Sequence, residues 1–232
     1  MKTDIMSTKI IYHGSKYVIK NPTLFGGKAS NDYGHGFYCT ESMELACEWA
    51  CQIQENGIVN RYEIETKGLT VLDLTKPQYS ILNWIAILLK YRFPKGISPN
   101  EEQIYSYILE NFLVDLTDVD IIIGYRADDS YFSFARDFVR NTICVRQLAS
   151  AMKLGKLGKQ IVIHSEKAFK KLHYINSEEV PHEVYYAKRY IRDLHAKKEY
   201  LLTTKHDAIL EDDIFIMDII RKKIKNDDPR IQ

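Results

Sequence analysis

The short β-type runs of this chain are scattered along its length and are separated by helical stretches. Such runs cover residues 9–13, 37–40, 59–66, 69–74, 119–124 and 160–164. They do not alternate regularly with helices, as a doubly wound parallel sheet requires, and the sequence has no Gly-x-Gly-x-x-Gly motif. We therefore expect an α+β fold with helices inserted between short strands, and not a Rossmann fold.

Helical periodicity marks the segments between and after these runs. Apolar residues recur at three- and four-residue intervals in 41–54, and helices are also predicted at 80–93, 100–113, 130–140, 145–154, 183–198 and 207–225. The proline- and glycine-containing run 94–99 separates two of them. We expect a domain over residues 1–175, with a helical insertion at about 78–115, and a helical C-terminal extension over 176–232.

Composition and charge exclude several classes of protein. The net charge is +1, so no global basic field indicates nucleic acid. The first ten residues lack the apolar segment of a signal peptide, and the apolar run 81–89 is far shorter than the ~20 residues of a membrane span. Cys47 and Cys51 share a helix face without a second zinc-like pair, which predicts buried thiols and no metal. We expect a cytoplasmic protein that does not contact a membrane.

The rarest residue types cluster near the N-terminus. The chain reads Tyr-His-Gly-Ser over residues 12–15 and Asn-Asp-Tyr-Gly-His-Gly-Phe-Tyr-Cys-Thr over 31–40. An aromatic ring offers a flat surface to a nicotinamide ring, a histidine hydrogen-bonds a ribose hydroxyl, and glycine lets the main chain approach a carboxamide. The pattern therefore suits the nicotinamide end of NAD.

These motifs resemble the ADP-ribosyltransferase fold, in the branch of diphtheria toxin and the poly(ADP-ribose) polymerases with its His-Tyr-Glu triad. They resemble more closely a bacterial family of uncharacterised proteins in that superfamily. The resemblance covers about residues 10–170, is strongest over 12–49 and is absent after about 180. It implies a split β-sheet core and NAD as a substrate.

The resemblance assigns roles residue by residue. His13 matches the triad histidine that contacts the ribose, and Gly14 matches the glycine whose main chain holds the carboxamide. Tyr38 matches the triad tyrosine that stacks on nicotinamide, and Trp49 takes the place of a second stacking tyrosine. Gln160 stands where the triad has its glutamate. The resemblance thus implies His13, Tyr38 and Gln160 as catalytic residues.

Two positions depart from the family pattern. Ala46 stands where the polymerase branch often has a serine that hydrogen-bonds the carboxamide. Gln160 accepts a hydrogen bond but supplies neither a negative charge nor a general base. In the family that the chain resembles, loss of the glutamate usually goes with loss of chain elongation, so the resemblance argues against polymer formation. Asn31 and Asp32 either line the adenosine side of an NAD site or simply shape a turn. The segment 126–132 either caps a helix or lies at the mouth of the ligand site.

The sequence leads to a transferase hypothesis and two alternatives. By resemblance, the protein is an NAD-dependent mono-ADP-ribosyltransferase that modifies a protein or a nucleic acid. Small bacterial transferases of this type are often toxins of toxin–antitoxin or phage-defence modules, which implies a cognate antitoxin or inhibitor protein. The alternatives are a non-catalytic module that binds NAD or ADP-ribose, and an NAD glycohydrolase that uses water as acceptor.

Overall fold

The computed structural model describes residues 8–92, 96–126, 129–154 and 158–231, without the side chains of 129–132 and 203–206. The strands in these ranges are β1 (Thr8–Ser15), β2 (Phe37–Cys39), β3 (Gly57–Glu65), β4 (Val71–Asp73), β5 (Ile121–Tyr125), β6 (Lys159–Ile163) and β7 (Leu172–Val180). The α-helices are α1 (Met43–Ala50), α2 (Ile81–Tyr91), α3 (Pro99–Phe112), α4 (Asp129–Val139), α5 (Val145–Ala151), α6 (Glu166–Phe169), α7 (His182–His206) and α8 (Ile216–Arg221).

The strands form two sheets. The first has the order β1-β3-β7 and is antiparallel throughout. The second has the order β2-β6-β5-β4, in which only the β4–β5 pair is parallel. Backbone bonds join the sheets where β1 passes the end of β2, because Tyr12 and Thr40 exchange N–H···O bonds of 2.8 and 2.9 Å. The fold is therefore mixed α and β, as predicted.

The second sheet is a central layer with two apolar faces. Alternate residues of its strands point to opposite faces, so Ile121 and Ile163 join Ile11 and Tyr62 of the first sheet in one core. Val162 and its neighbour Ile122 join the helices in the other core. The two-sided burial explains why β5 and β6 read as continuous apolar runs rather than as alternating ones.

Helix α2 forms the centre of the larger core. Every residue from Ile81 to Leu89 is buried. A helix that is apolar on all sides belongs in the interior of a protein. Phe112 of α3, Phe138 of α4 and Ile216 of α8 belong to the same core. The helical insertion therefore contributes the centre of this core.

Three elements differ from the sequence-based expectation. β7 was not predicted, because its polar residues give no apolar alternation, yet it pairs with β3 along its length. The helix expected over 207–225 is also wrong. Only α8 is helical there, since Asp207 and Asp213 bind the guanidinium of Arg146 and the preceding chain turns instead. Helix α7 in turn extends beyond residue 198 to His206.

The C-terminal residues join the rest of the fold closely. The expected boundary at residue 175 lies inside β7. Beyond it, Ile214, Ile219 and Ile231 are buried in the same core as α2.

The four cysteines are buried free thiols, as predicted. Burial raises the pKa of the Cys47 thiol to about 11. None of the helices within the described ranges has the length and apolarity that crossing a membrane demands.

Candidate functional site

A cavity of about 650 Å³ opens where the two sheets meet. His13 of β1, Tyr38 of β2 and Gln160 of β6 all line it. Gly14 and Trp49, which the sequence also assigned to the site, are in its wall as well. The pairing of the two sheets at Tyr12 and Thr40 thus brings together residues that are up to 147 positions apart, from His13 to Gln160.

His13 is fixed between the two sheets. Its Nδ1 lies 2.7 Å from the carbonyl oxygen of Tyr38, and its ring stacks on Phe37 with ring centroids 4.3 Å apart. A carbonyl oxygen only accepts, so Nδ1 carries the ring proton. Burial lowers the pKa of His13, and the Tyr38 carbonyl offsets this in part. At neutral pH the imidazole is therefore uncharged, and its Nε2 is an acceptor.

Tyr38 is held by its hydroxyl group. The hydroxyl donates to the carbonyl oxygen of Gly34 at 2.6 Å and accepts from the N–H of Tyr33 at 3.1 Å. Burial raises the pKa of this phenol far above its usual range, so it stays protonated. Since the hydroxyl is occupied by the loop before β2, Tyr38 offers a ligand its aromatic surface.

Gly14 is required by the packing of α1 against β1. A Cβ atom at this position would lie 2.1 Å from the carbonyl oxygen of Ala46 and 2.7 Å from the nitrogen of Ala50. No side chain fits such a contact without moving the helix. The main chain of Gly14 also lines the cavity. Helix packing thus accounts for the residue type, and the bare main chain is what a ligand meets.

Gln160 brings an unsatisfied acceptor to the cavity. Its side chain is 7% exposed, and within the described structure its Oε1 has no hydrogen-bond partner. It lies near the start of β6, opposite Gly124 of β5. A buried amide oxygen without a partner costs about 1–3 kcal/mol. A hydrogen-bond donor that reaches this buried oxygen would remove this cost.

Trp49 brings an unsatisfied donor. Its Nε1 is buried and has no hydrogen-bond partner within the described structure. The guanidinium of Arg126 lies over the indole, with Cζ 4.3 Å from the ring centroid. A cation therefore covers one face of the ring that the sequence assigned to stacking on nicotinamide. The other face of the ring is what remains for stacking, and the indole N–H is buried without a partner in the described structure.

Asn31 and Asp32 both line the cavity. The carbonyl oxygen of Asn31 accepts from the N–H of Gly34 at 3.0 Å, so this residue also shapes the turn before β2. The Asp32 carboxylate accepts from Arg92 Nη1 at 2.8 Å. Asn31 therefore shapes the turn before β2, and both residues form part of the cavity wall.

One protein-family model matches most of the chain, including the residues that line the cavity from His13 to Gln160. The sequence model of the family described as "Protein of unknown function (DUF3990)" matches residues 9–174. The chain belongs to this DUF3990 family. The matched region contains every predicted site residue from His13 to Gln160. Among curated proteins and among solved structures, nothing matches the chain.

Two basic residues in the cavity of this DUF3990 protein were not assigned to the ligand site from sequence. Arg92 follows α2 directly, so its position depends on how the helical insertion packs. Arg126 follows β5 and belongs to the segment 126–132. Ala127 and Asp128 of that segment lie outside the described residues, as do the side chains of 129–132. The placement of Arg126 favours the ligand-mouth interpretation for the first residue of this segment.

The helix that carries Trp49 is anchored from outside the DUF3990 region. Arg192 of α7 donates two hydrogen bonds to Glu48 of α1, Nε to Oε2 at 2.9 Å and Nη2 to Oε1 at 2.7 Å. The Glu48 side chain is 1% exposed. The long C-terminal helix therefore holds α1 against the first sheet.

Proposed function

We propose that this protein is an NAD-dependent mono-ADP-ribosyltransferase that transfers one ADP-ribose to a macromolecule. The observation that carries the proposal is the meeting of His13, Tyr38 and Gln160 in one cavity. These are the residues in which the sequence resembles the His-Tyr-Glu transferases. Two sheets that meet at the cavity further support the split-sheet core that the resemblance implies.

Two acceptors in the cavity suit the hydroxyls of a ribose. Nε2 of neutral His13 and Oε1 of Gln160 are acceptors without a partner of their own in the described chain. The nicotinamide ribose carries two neighbouring hydroxyl donors. Each hydroxyl thus finds one acceptor, and the buried amide of Gln160 loses its desolvation cost. This fit orients the ribose relative to the ring-binding residues.

The remaining groups suit the other parts of NAD. The aromatic surface of Tyr38 binds a flat nicotinamide ring, and the unpartnered Nε1 of Trp49 offers a donor to its carboxamide oxygen. Arg92 and Arg126 line the same cavity and carry positive charge for a diphosphate. Asp32, with Arg92 bound to it, forms a wall on this charged side.

In the proposed reaction, the bond between nicotinamide and the ribose C1′ breaks, and neutral nicotinamide leaves with the bonding electron pair. A nitrogen or oxygen of the acceptor forms the new bond to C1′ and loses its proton to solvent. Gln160 orients the ribose but takes no proton, because its side chain is a neutral amide. The site therefore favours a single transfer to a good nucleophile over chain elongation.

The test uses the purified full chain, NAD labelled in the adenylate and a bacterial lysate. We expect nicotinamide release together with label in a macromolecule, and loss of both in His13→Ala and in Tyr38→Ala. Tyr190→Ala, which changes an exposed tyrosine of α7, serves as the matched control. Unchanged turnover in both site variants would refute the proposal. Free ADP-ribose as sole product would indicate the glycohydrolase instead.

A non-catalytic NAD-binding module is the second candidate. The neutral amide of Gln160 favours it, as does the pairing of Asp32, the one carboxylate among the described residues that line the cavity, with Arg92. Such a module would bind NAD in a calorimeter without releasing nicotinamide. Release of nicotinamide by the wild type, but not by His13→Ala, excludes it.

We further propose, from the resemblance, that the transferase acts as a toxin with a cognate inhibitor protein. Its induction in a bacterial host should slow growth, whereas His13→Ala at the same level should not. Normal growth in the presence of protein that is active after purification would contradict this role.

A further inference from the structure

Residues 16–30, which follow β1, both line the cavity and expose aromatic side chains. Ile19, Thr23 and Lys28 contribute to the cavity wall. Two aromatic rings of the same segment are exposed to solvent. Tyr17 is 73% exposed and Phe25 is 71% exposed, the largest fractions among the large hydrophobic side chains that the structure describes. Exposed aromatic rings near a ligand cavity are available to stack on the bases of a nucleic acid.

The backbone that carries Tyr17 is held in place. Asn60 of β3 is fully buried; its Nδ2 donates to the carbonyl oxygen of Tyr17 at 3.0 Å, and its Oδ1 accepts from the N–H of Ile19 at 2.8 Å. The hydroxyl of Tyr62 also donates to the carbonyl oxygen of Ile19. Phe25 sits on a 3₁₀ turn and makes an edge contact with His35, with centroids 5.1 Å apart. The backbone that carries Tyr17 is therefore fixed by hydrogen bonds, and the Phe25 ring is fixed by its contact with His35.

The charge of this segment is entirely positive. Residues 14–31 contain Lys16, Lys20 and Lys28 and no Asp or Glu. Lys16 pairs with Glu55, whereas in the described chain no carboxylate lies within ion-pair distance of Lys20 or Lys28. The net charge of +1 for the whole chain conceals this local excess. Lysines beside exposed aromatic rings, without carboxylates, are the composition of surfaces that bind single-stranded nucleic acid.

We propose that residues 16–30 bind a single strand of nucleic acid and lead it to the cavity as the acceptor of ADP-ribose. Bases stack on Tyr17 and Phe25, and backbone phosphates lie near Lys20 and Lys28. A duplex hides the faces of its bases and cannot stack in this way. The role of the strand as acceptor rests on the proposed transferase function, whereas binding of the strand does not require NAD.

The first measurement is fluorescence anisotropy of the full chain with labelled 20-nucleotide dT, 20-nucleotide rU and a 20-base-pair duplex, without NAD. We expect at least one single strand to bind about tenfold more tightly than the duplex at moderate salt. Equal affinity for strand and duplex, or no binding to any of the three probes, would overturn the proposal.

Four variants locate the strand. Tyr17→Ala and Phe25→Ala should each weaken strand binding about tenfold, because a stacked base is lost. Lys20→Gln and Lys28→Gln should each lower the slope of log affinity against log salt by about 0.7. Tyr190→Ala, on α7, is the control and should bind like the wild type. Unchanged affinity in both aromatic variants and unchanged slopes in both lysine variants would refute the assignment.

The last step separates this proposal from the proposed function. NAD binding and nicotinamide release are measured on the wild type, on Tyr17→Ala and on Lys20→Gln, with and without a mixed-sequence strand. We expect label on the strand, and its loss in Tyr17→Ala while NAD still binds. NAD turnover with label only on protein would refute the nucleic-acid acceptor and leave the transferase intact. Strand binding without NAD binding would refute the transferase and leave the surface intact.

Discussion

Two acceptor atoms, Nε2 of His13 and Oε1 of Gln160, carry the proposed recognition of the ribose. His13 is useful only while it is neutral, since the imidazolium has no acceptor. Burial lowers its pKa below the ordinary value of 6.5. NAD affinity should therefore stay constant from pH 8 to about 6.5 and fall only as the pH drops through the lowered pKa. Calorimetric titrations across this range measure the profile.

A second half-buried histidine, His164, provides the control for this profile. Burial also lowers the pKa of His164, whose Nδ1 lies 3.1 Å from the carbonyl oxygen of His35. The acid-side fall should persist in His164→Gln and disappear in His13→Ala, which binds NAD weakly at every pH. A fall centred above 6.5, or one that vanishes in His164→Gln, would contradict the role of His13.

Two substitutions at Gln160 distinguish its role in NAD binding from its role in catalysis. Gln160→Met keeps the size of the side chain but removes the acceptor, and should weaken NAD binding about tenfold. Gln160→Glu restores a negative charge beside the ribose and should raise the rate of nicotinamide release about tenfold or more, mainly in kcat. Steady-state kinetics measure both variants. A glutamate variant that is slower than the wild type would show that the amide itself is adapted to the reaction.

At the scale of residues, the resemblance proposes which side chains form the site, and the structure shows that three of them line one cavity. His13, Tyr38 and Gln160 could be proposed because each stands in a short motif that resembles the family pattern. The residues that surround these side chains in the cavity could not be predicted from the sequence. Arg92 reaches the cavity only through the packing of α2, and Arg126 covers Trp49 only because β5 ends beside α1. Such contacts depend on tertiary distances that no local pattern encodes.

At the scale of elements, the close approach of α1 to β1 shapes the cavity. Gly14→Ala places a Cβ atom 2.1 Å from the Ala46 carbonyl oxygen, against a backbone that cannot rotate away. We expect this variant to lose about 2–3 kcal/mol of unfolding free energy and most of its NAD affinity. Urea unfolding and calorimetry measure the two effects.

Gly68 offers the matched control for this substitution. It has φ +74°, but a Cβ atom there meets nothing within 4 Å. Gly68→Ala should cost about 1 kcal/mol from backbone strain alone, and NAD binding should be unchanged. If Gly14→Ala loses no more unfolding free energy than Gly68→Ala, the packing of α1 against β1 does not require glycine at position 14.

Elements were predictable where periodicity was strong and failed where tertiary contacts decide. The apolar run of α2 and the apolar strands β5 and β6 could be predicted from the sequence pattern alone. β7 does not, because its polar side chains lie at the edge of a sheet and pairing with β3 creates the strand. The turn after α7 is likewise fixed by Arg146, which binds two carboxylates distant in the sequence.

At the scale of the whole molecule, the C-terminal helix supports the site through one buried ion pair. Arg192→Ala leaves the Glu48 carboxylate buried, with its charge uncompensated, and should cost about 3–5 kcal/mol of unfolding free energy. Lys188→Ala removes an exposed partner of Glu44 on the same two helices and should leave the unfolding free energy nearly unchanged. Urea unfolding measures both.

A double variant tests the reason for this difference. Glu48→Gln combined with Arg192→Met removes both charges and should recover much of the lost stability. Without such recovery, the contact would stabilise α1 by side-chain packing and not by charge. NAD affinity should follow stability in the series, because α1 carries Trp49.

The most direct measurement is a calorimetric titration of NAD into the wild-type chain and into Gln160→Met. We expect saturable one-to-one binding by the wild type and about tenfold weaker binding by the variant, with its fold intact. Absence of NAD binding by folded wild-type protein at millimolar concentration, or equal affinity in the two proteins, would contradict the claim that this cavity holds the nicotinamide ribose.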